Sequence, residues 1–265
     1  MPELPEVEYA RQRLTRWTTG SALTGWDLVD PGAFRPKLSA HPTPDPLAVA
    51  RLQALVGRPS TATARHGKRV GWSFGGPGLL LHLGMTGAWV EGARPRHARL
   101  GLRFGDRTLW LNDPRRMGGV SYDDDPSAHV GTGLGPDALL DGSLSQVVPS
   151  RSPIKVALMD QRRLAGLGNI HAAEALWRAG ISPRLRACDL DEGQRAALTQ
   201  AIRAQLTEAL KALDLETDLR YVSDGGDNPF AVYGRQGQPC PRCGAPISRE
   251  LLGGRGTWWC PSCQP

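Results

Sequence analysis

Along residues 4–17, apolar side chains recur at Leu4, Val7, Ala10, Leu14 and Trp17, with Arg11, Arg13 and Arg16 on other faces. That spacing predicts one N-terminal amphipathic helix. From Ala22 to Tyr122 the period shortens to β-type runs: Ala22–Val29, Arg69–Phe74, Leu79–Leu83, Gly87–Glu91, Leu100–Phe104, Thr108–Leu111 and Gly119–Tyr122. Turn residues such as Gly75-Gly76-Pro77-Gly78 and Gly105-Asp106 separate them, the pattern of an antiparallel sandwich or barrel. One helix, Asp45–Val56, interrupts the series. Residues 123–152 are rich in Asp, Ser, Gly and Pro, so the chain is predicted to divide there. Beyond, helical spacing returns in Ile154–Leu164, Asn169–Arg178 and Asp191–Leu213, and a Gly/Pro-rich stretch over 224–239 leads to a cysteine cluster.

Composition narrows this picture. The 265 residues are 40% hydrophobic and 22% charged, enough apolar material for a sizeable core shared between two domains. Collagen-like, disordered and membrane classes are excluded, because the longest apolar runs, such as Leu79-Leu80-Leu81, are far too short to span a bilayer. The start, Met-Pro-Glu-Leu-Pro-Glu, lacks the apolar core of a signal peptide, so a cytoplasmic protein is expected. Lys and Arg total 32 against 26 Asp and Glu, a net charge of +6. The excess is spread evenly along the chain with no basic tail, so charge alone does not specify a nucleic-acid partner.

Cys240-Pro-Arg-Cys243 and Cys260-Pro-Ser-Cys263 form a C-x2-C…C-x2-C pattern at zinc-ribbon spacing. Four thiolates satisfy a tetrahedral Zn²⁺ with no open position, so one structural ion is expected. Between the pairs, Ala245–Leu252 and Thr257–Cys260 read as a hairpin with Arg255 at its tip. Cys188 stands apart and is expected to be a buried small hydrophobe. Upstream, Ala165-Gly166-Leu167-Gly168-Asn169 joins two helices. A dinucleotide reading fails for want of a preceding strand and a third glycine. Two readings stand: a phosphate-binding turn that uses backbone N–H groups and an N-capping Asn169, or a plain tight turn with a capping Asn. At the N-terminus, removal of the initiator Met would free the secondary amine of Pro2, a nucleophile able to form an iminium at a sugar C1′, with Glu3 beside it; a plain helix-starting proline is the other reading.

Six motifs occur in order: Pro2-Glu3-Leu4-Pro5-Glu6-Val7-Glu8, His82-Leu83-Gly84-Met85-Thr86-Gly87, Asp113-Pro114-Arg115-Arg116, Gly168-Asn169-Ile170, Tyr233-Gly234-Arg235 and the C-terminal cysteine hairpin. Together they resemble the formamidopyrimidine-DNA glycosylase family over essentially the whole chain. The resemblance implies an α+β protein: an N-terminal β-sandwich with an N-terminal helix, a helix-two-turns-helix domain and a C-terminal zinc-finger β-hairpin, with DNA in the cleft between domains. The boundaries expected are 1–125 for the catalytic sandwich, 126–150 for a linker, 151–225 for the helical domain, and 226–265 for a lesion loop and zinc finger.

The activity implied is that of a monomeric base-excision-repair glycosylase and AP lyase acting on oxidised purines in damaged double-stranded DNA. Its implied catalytic residues are Pro2 as nucleophile, Glu3 as acid/base, Lys68 for β-elimination, and Arg255 for phosphate binding and δ-elimination. The implied DNA contacts are His97, Arg115, Arg116 and Asn169, with Met85 as the apolar wedge and Arg115 facing the orphaned cytosine. Such residues are needed because the target nucleotide must leave the stack before C1′ can be attacked. The chain departs from the family in having Met117 where most relatives carry Phe, and in a shorter segment from Asp224-Gly225 to Tyr233-Gly234. Both bear on lesion preference, leaving two rival functions: a paralogue preferring oxidised pyrimidines or abasic sites, and a non-catalytic damage-binding protein.

Overall fold

The computed structural model describes residues 2–39, 41–141, 143–213 and 228–265. These divide into two compact units, 2–132 and 133–212 with 228–265. The first opens with α1 (Leu4–Thr18), whose N-terminus is closed by a reciprocal capping box between Glu3 and Glu6. Two sheets follow. One has four antiparallel strands in the order β1 (Gly25–Leu28), β7 (Ala98–Phe104), β8 (Arg107–Asn112) and β6 (Ala88–Glu91). The other has five, in the order β2 (Phe34–Arg35), β9 (Gly119–Asp123), β5 (Gly78–His82), β4 (Arg69–Ser73) and β3 (Ala62–His66), with β2 parallel to β9. Their inner faces share one apolar core. Trp72 of β4 stacks on Phe104 of β7 at 5.6 Å and meets Trp89 of β6 edge-on at 5.7 Å, joining the two sheets through aromatic contacts.

Two elements were not expected from the sequence. The strand β2 is only two residues long, and β3, Ala-Thr-Ala-Arg-His, is a partly exposed edge with no apolar alternation. The helix α2 (Ala48–Leu55) lies where one was predicted.

The stretch expected to be a linker, 126–150, is divided between the two units. Residues 126–132 belong to the first unit, where α3 (Pro126–His129) lies so close to the sheet that a Cβ on Gly71 would stand 2.2 Å from the Pro126 carbonyl oxygen. Residues 133–150 belong to the second unit and bury Val147, Leu144 and Ala138. Apolar side chains scattered among turn residues anchor this stretch, so it does not behave as a free tether.

The second unit contains α4 (Ile154–Met159), α5 (Asn169–Ala179), α6 (Glu192–Lys211) and the hairpin of β10 (Ser248–Leu252) with β11 (Arg255–Trp259). The helix predicted to reach Leu164 ends at Met159. Asp160 accepts the Arg162 N–H, and the Gln161 amide donates to the carbonyls of Met159 and Leu167 while accepting from Gly166 N–H, so two turns replace the last helical turn. Cys188 is exposed on a 3-10 turn, not buried, because its neighbours Arg186 and Asp189 hold that turn at the surface through an ion pair. Among the described residues no helix is long and apolar enough to cross a membrane.

Candidate active site and zinc centre

In the first unit, Pro2 and Glu3 are buried immediately ahead of α1, and the Glu6 carboxylate accepts the Glu3 N–H at 2.8 Å. The helix α1 packs on β3, and Lys68 sits in the two-residue Gly67-Lys68 loop between β3 and β4. Gly67 takes φ 55°, the left-handed geometry that the first position of a type II′ turn requires. One polar bridge ties the loop to the helix: Arg65 donates to Glu8 at 3.0 Å and to the Gly67 carbonyl at 3.1 Å. Burial raises the Glu8 pKa, but hydrogen bonds from Arg11 and Gln12 and the charges of Arg11 and Arg65 outweigh it, so Glu8 stays below its ordinary value. The carboxylate therefore remains charged and keeps the elements carrying Pro2, Glu3 and Lys68 in register. Neither Glu8 nor Arg65 was singled out from the sequence.

A second group lies on the loops after β5, β6 and β8. Met85 is half-buried, whereas Arg115, Arg116 and His97 are exposed. The Arg115 guanidinium has no partner among the described residues. Arg116 adopts φ 56°, the one described non-glycine residue in that region, a conformation costing about 1–3 kcal/mol. Its side chain pairs with Asp30 at 2.9 Å, and Arg116, His97, Arg99, Asp30 and Asp113 line a recess of about 320 Å³.

Beneath the recess two buried guanidiniums, Arg35 and Arg99, each donate to the Gly118 carbonyl at 2.8 Å. His82 faces the first of them, its Nε2 lying 2.9 Å from Arg35 Nη1. The same Nε2 lies 3.0 Å from the Ser39 carbonyl, so it faces a donor and an acceptor together, and the ring, buried beside a guanidinium, is held neutral. Burial, together with the Arg35 charge, pushes the His82 pKa from 6.5 to about 4.

In the second unit Asn169 is the first residue of α5, and Gly168 is the N-cap, so Asn169 is not the capping residue the sequence suggested. Its side chain is committed elsewhere. The Lys155 ammonium, fully buried, donates to Asn169 Oδ1 at 2.6 Å, to Thr257 Oγ1 at 2.8 Å and to the Gly256 carbonyl at 3.0 Å. Lysine cannot accept, so the amide oxygen faces it and the Asn169 NH₂ is left as the outward donor, without a partner among the described residues. The same ammonium fixes the hairpin one residue from Arg255. Arg255 itself is exposed, and its guanidinium has no partner among the described residues.

Farther along α5, the buried Glu174 carboxylate accepts the N–H groups of Ala231, Val232 and Tyr233 at 2.8 to 3.0 Å, holding the chain around Tyr233-Gly234-Arg235. The start of the segment expected to be a lesion loop, through Asp227, lies outside the described residues. Lys155 and Glu174 went unrecognised because a charged residue in a helical stretch reads as solvent-facing.

The four cysteines Cys240, Cys243, Cys260 and Cys263 bring their sulfurs within 4.8 Å of one another, with Cys240–Cys263 at 4.0 Å and Cys243–Cys260 at 3.4 Å. Thiolates about 2.3 Å from one tetrahedral ion stand about 3.8 Å apart, so the donor set fits zinc. Indole N–H of Trp177 on α5 donates to Cys240 Sγ at 3.5 Å, and the guanidinium of Arg242 lies 4.5 Å over the Trp177 ring. Gln264 donates to the Ile181 carbonyl at 2.9 Å, and Arg184 pairs with Glu250 at 2.7 Å, so the finger is fastened to the helical unit on several sides.

The comparisons agree along the chain. The formamidopyrimidine-DNA glycosylase N-terminal domain family matches residues 1–120, the corresponding H2TH domain family residues 134–218, and a zinc finger described as found in FPG and IleRS residues 237–265. A formamidopyrimidine-DNA glycosylase of Thermus thermophilus is 38% identical, covering 100% of this chain and 98% of the relative. Among solved structures, MutM in complex with DNA containing carbocyclic 8-oxo-G superposes with a TM-score of 0.83 at 29% identity, covering 99% of each chain. The Lactococcus lactis FPG (MutM) in complex with Fapy-dG DNA gives 0.84 at 28% identity, again covering 99% of each.

Proposed function

The chain belongs to the formamidopyrimidine-DNA glycosylase family, and on that premise we propose how its own residues carry out base excision. The protein is a base-excision-repair DNA glycosylase with AP lyase activity, it binds damaged double-stranded DNA as a monomer, and its four cysteines hold one structural zinc ion. The substrates are oxidised purines, 8-oxoguanine and formamidopyrimidines, the lesions in the DNA bound by its structural neighbours. It acts on chromosomal DNA in the cytoplasm.

Pro2, once its amine is free, uses its nitrogen lone pair to form a bond to C1′ as the glycosidic bond breaks and the base departs. Glu3 supplies the proton to the sugar or the leaving group, and a Schiff base remains. Lys68 takes part in β-elimination of the strand. Asn169 and Arg255 hold phosphate with donors that have no described partner, and Arg255 assists δ-elimination. Met85 enters the stack in place of the extruded nucleotide, Arg115 faces the orphaned cytosine, and His97 and Arg116 contact the backbone. The zinc ion supplies no chemistry beyond folding the hairpin that carries Arg255.

The observation that carries the reading is the joining of the N-terminal helix to the Lys68 loop through Glu8 and Arg65, which supports amine, acid and lysine working from one scaffold. Borohydride reduction during turnover of an 8-oxoguanine duplex will trap a covalent complex through Pro2. Equal trapping by Pro2→Gly would refute the nucleophile. Side-by-side cleavage of duplexes carrying 8-oxoguanine, oxidised pyrimidines or abasic sites tests the lesion class.

A further inference from the structure

The two loops assigned above to filling the DNA void are joined to each other before any DNA arrives. Arg35, on β2, is fully buried, and its guanidinium meets the carbonyls of three successive residues of the second loop: Arg116 at 3.4 Å, Met117 at 3.2 Å and Gly118 at 2.8 Å. The same group contacts His82, where the Met85 turn begins. It lies flat over Gly119, where a Cβ would stand 2.8 Å from its Cζ.

Asp113 makes a second tie. It accepts the Thr86 hydroxyl from the Met85 turn at 2.6 Å, and from its own loop the N–H groups of Arg115 at 3.2 Å and Gly118 at 2.7 Å. Between the two ties the backbones touch: a Cβ on Gly84 would meet Gly118 N at 2.5 Å and the Met117 carbonyl carbon at 2.6 Å. Met85 and Arg115 therefore sit on one cross-braced block.

We propose that Arg35 is a positioning residue for lesion extrusion, locking the Met85 turn to the 113–118 loop so that wedge and orphan-base contact enter the duplex together and select cytosine opposite the lesion. This rests on the roles proposed for Met85 and Arg115. The planar fork is what the task requires, because several carbonyls and an imidazole surround one side chain, and an ammonium has neither the span nor the donors to reach them all. The Arg35 bonds run to Gly32, Ser39, His82 and residues 116–118 and not to Pro2, Glu3 or Lys68, so a lost brace leaves those three side chains in place. The defect will therefore depend on whether the substrate must be unstacked.

The test compares wild type with Arg35→Gln, Arg35→Lys and Thr86→Val, on 8-oxoguanine paired with C, on 8-oxoguanine paired with A, and on single-stranded DNA carrying a preformed abasic site. Arg35→Gln and Arg35→Lys are expected to lose about 100-fold in excision opposite C, the scale of a small misplacement of a working group. Cleavage of the single strand is expected to stay close to wild type, and the C-over-A preference to collapse. With 2-aminopurine beside an abasic-site analogue in duplex DNA, the fluorescence rise on wild-type binding will be absent in the variants.

Equal losses on the duplex and the single strand by folded protein, or an unchanged C-over-A ratio, overturn the proposal. Should the Arg35 variants not fold, Thr86→Val, which cuts only the Asp113 tie, must reduce the 2-aminopurine signal and the C preference; a wild-type profile there also overturns it. A wild type that cuts abasic DNA but ignores 8-oxoguanine refutes the lesion assignment instead, and the 2-aminopurine signal then still decides the brace.

Discussion

Replacing Lys155 with Met retains the volume of the side chain and removes its charge. Three acceptors then lose their donor: the buried Asn169 Oδ1 and Thr257 Oγ1 and the half-buried Gly256 carbonyl. The Thr257 hydroxyl retains its bond to the Arg255 carbonyl at 3.3 Å, which leaves two acceptors orphaned. At about 1–3 kcal/mol each, the loss is about 2–6 kcal/mol. Relief of the desolvation cost of a buried ammonium opposes it. A net loss of about 3 kcal/mol is expected, at the lower end of what breaking a buried charged contact costs. Urea titration of the zinc-loaded protein, followed by tryptophan fluorescence, measures it, since Trp258 and Trp259 lie on the affected strand β11.

A second effect follows for DNA. Without the lysine, nothing dictates which end of the Asn169 amide faces outward, and a carbonyl oxygen presented to a phosphate repels it. Affinity for a duplex with an abasic-site analogue should fall by about tenfold to a hundredfold, the worth of one hydrogen bond to a charged group. A stability change below about 1 kcal/mol together with unaltered affinity would show that the buried ammonium organises neither the turn nor the hairpin.

Metal removal should act through the same contacts. Structural zinc contributes on the order of 10 kcal/mol to small metal-folded elements. Chelation is therefore expected to unfold the β10–β11 hairpin and abolish DNA binding, with recovery on adding zinc; binding that survives verified metal loss would contradict this. The buried His82 gives a pH dependence of defined sign. Its folded pKa, about 4, lies below the unfolded 6.5, so the unfolded chain takes up the proton first. Its contribution is intact above pH 6.5, declines as the pH falls, and levels off below about 4, for a total of no more than about 3 kcal/mol. Denaturation between pH 7 and 4.5 should be less pH-sensitive in His82→Gln; an identical slope would exclude His82 as the source.

The strands with strong apolar alternation and the four clustered cysteines were legible in the sequence because their signals are local. The elements that escaped are ones whose stability is borrowed. The strand β2 exists through pairing with β9 and the burial of Phe34 and Arg35. The end of α4 is decided by side-chain bonds from Asp160 and Gln161 that compete with the helix. The same holds at the site. Exposed side chains within family motifs, such as Arg115 and Arg255, were found, whereas Arg35, Lys155 and Glu174 work from inside, with partners as far as 102 positions away. No local window distinguishes such a residue from an ordinary surface charge.

The zinc finger recurs in a second kind of protein, as its family description indicates, so it is a part that can be inherited separately. What travels with residues 237–265 is the metal site and the hairpin. What does not travel is Lys155, Trp177, Ile181 and Arg184, the contacts that fasten the hairpin to the helical unit here. Transplanted alone, the finger would fold around its ion yet carry Arg255 in no fixed direction. The aim of that arginine is a property of the host and not of the module.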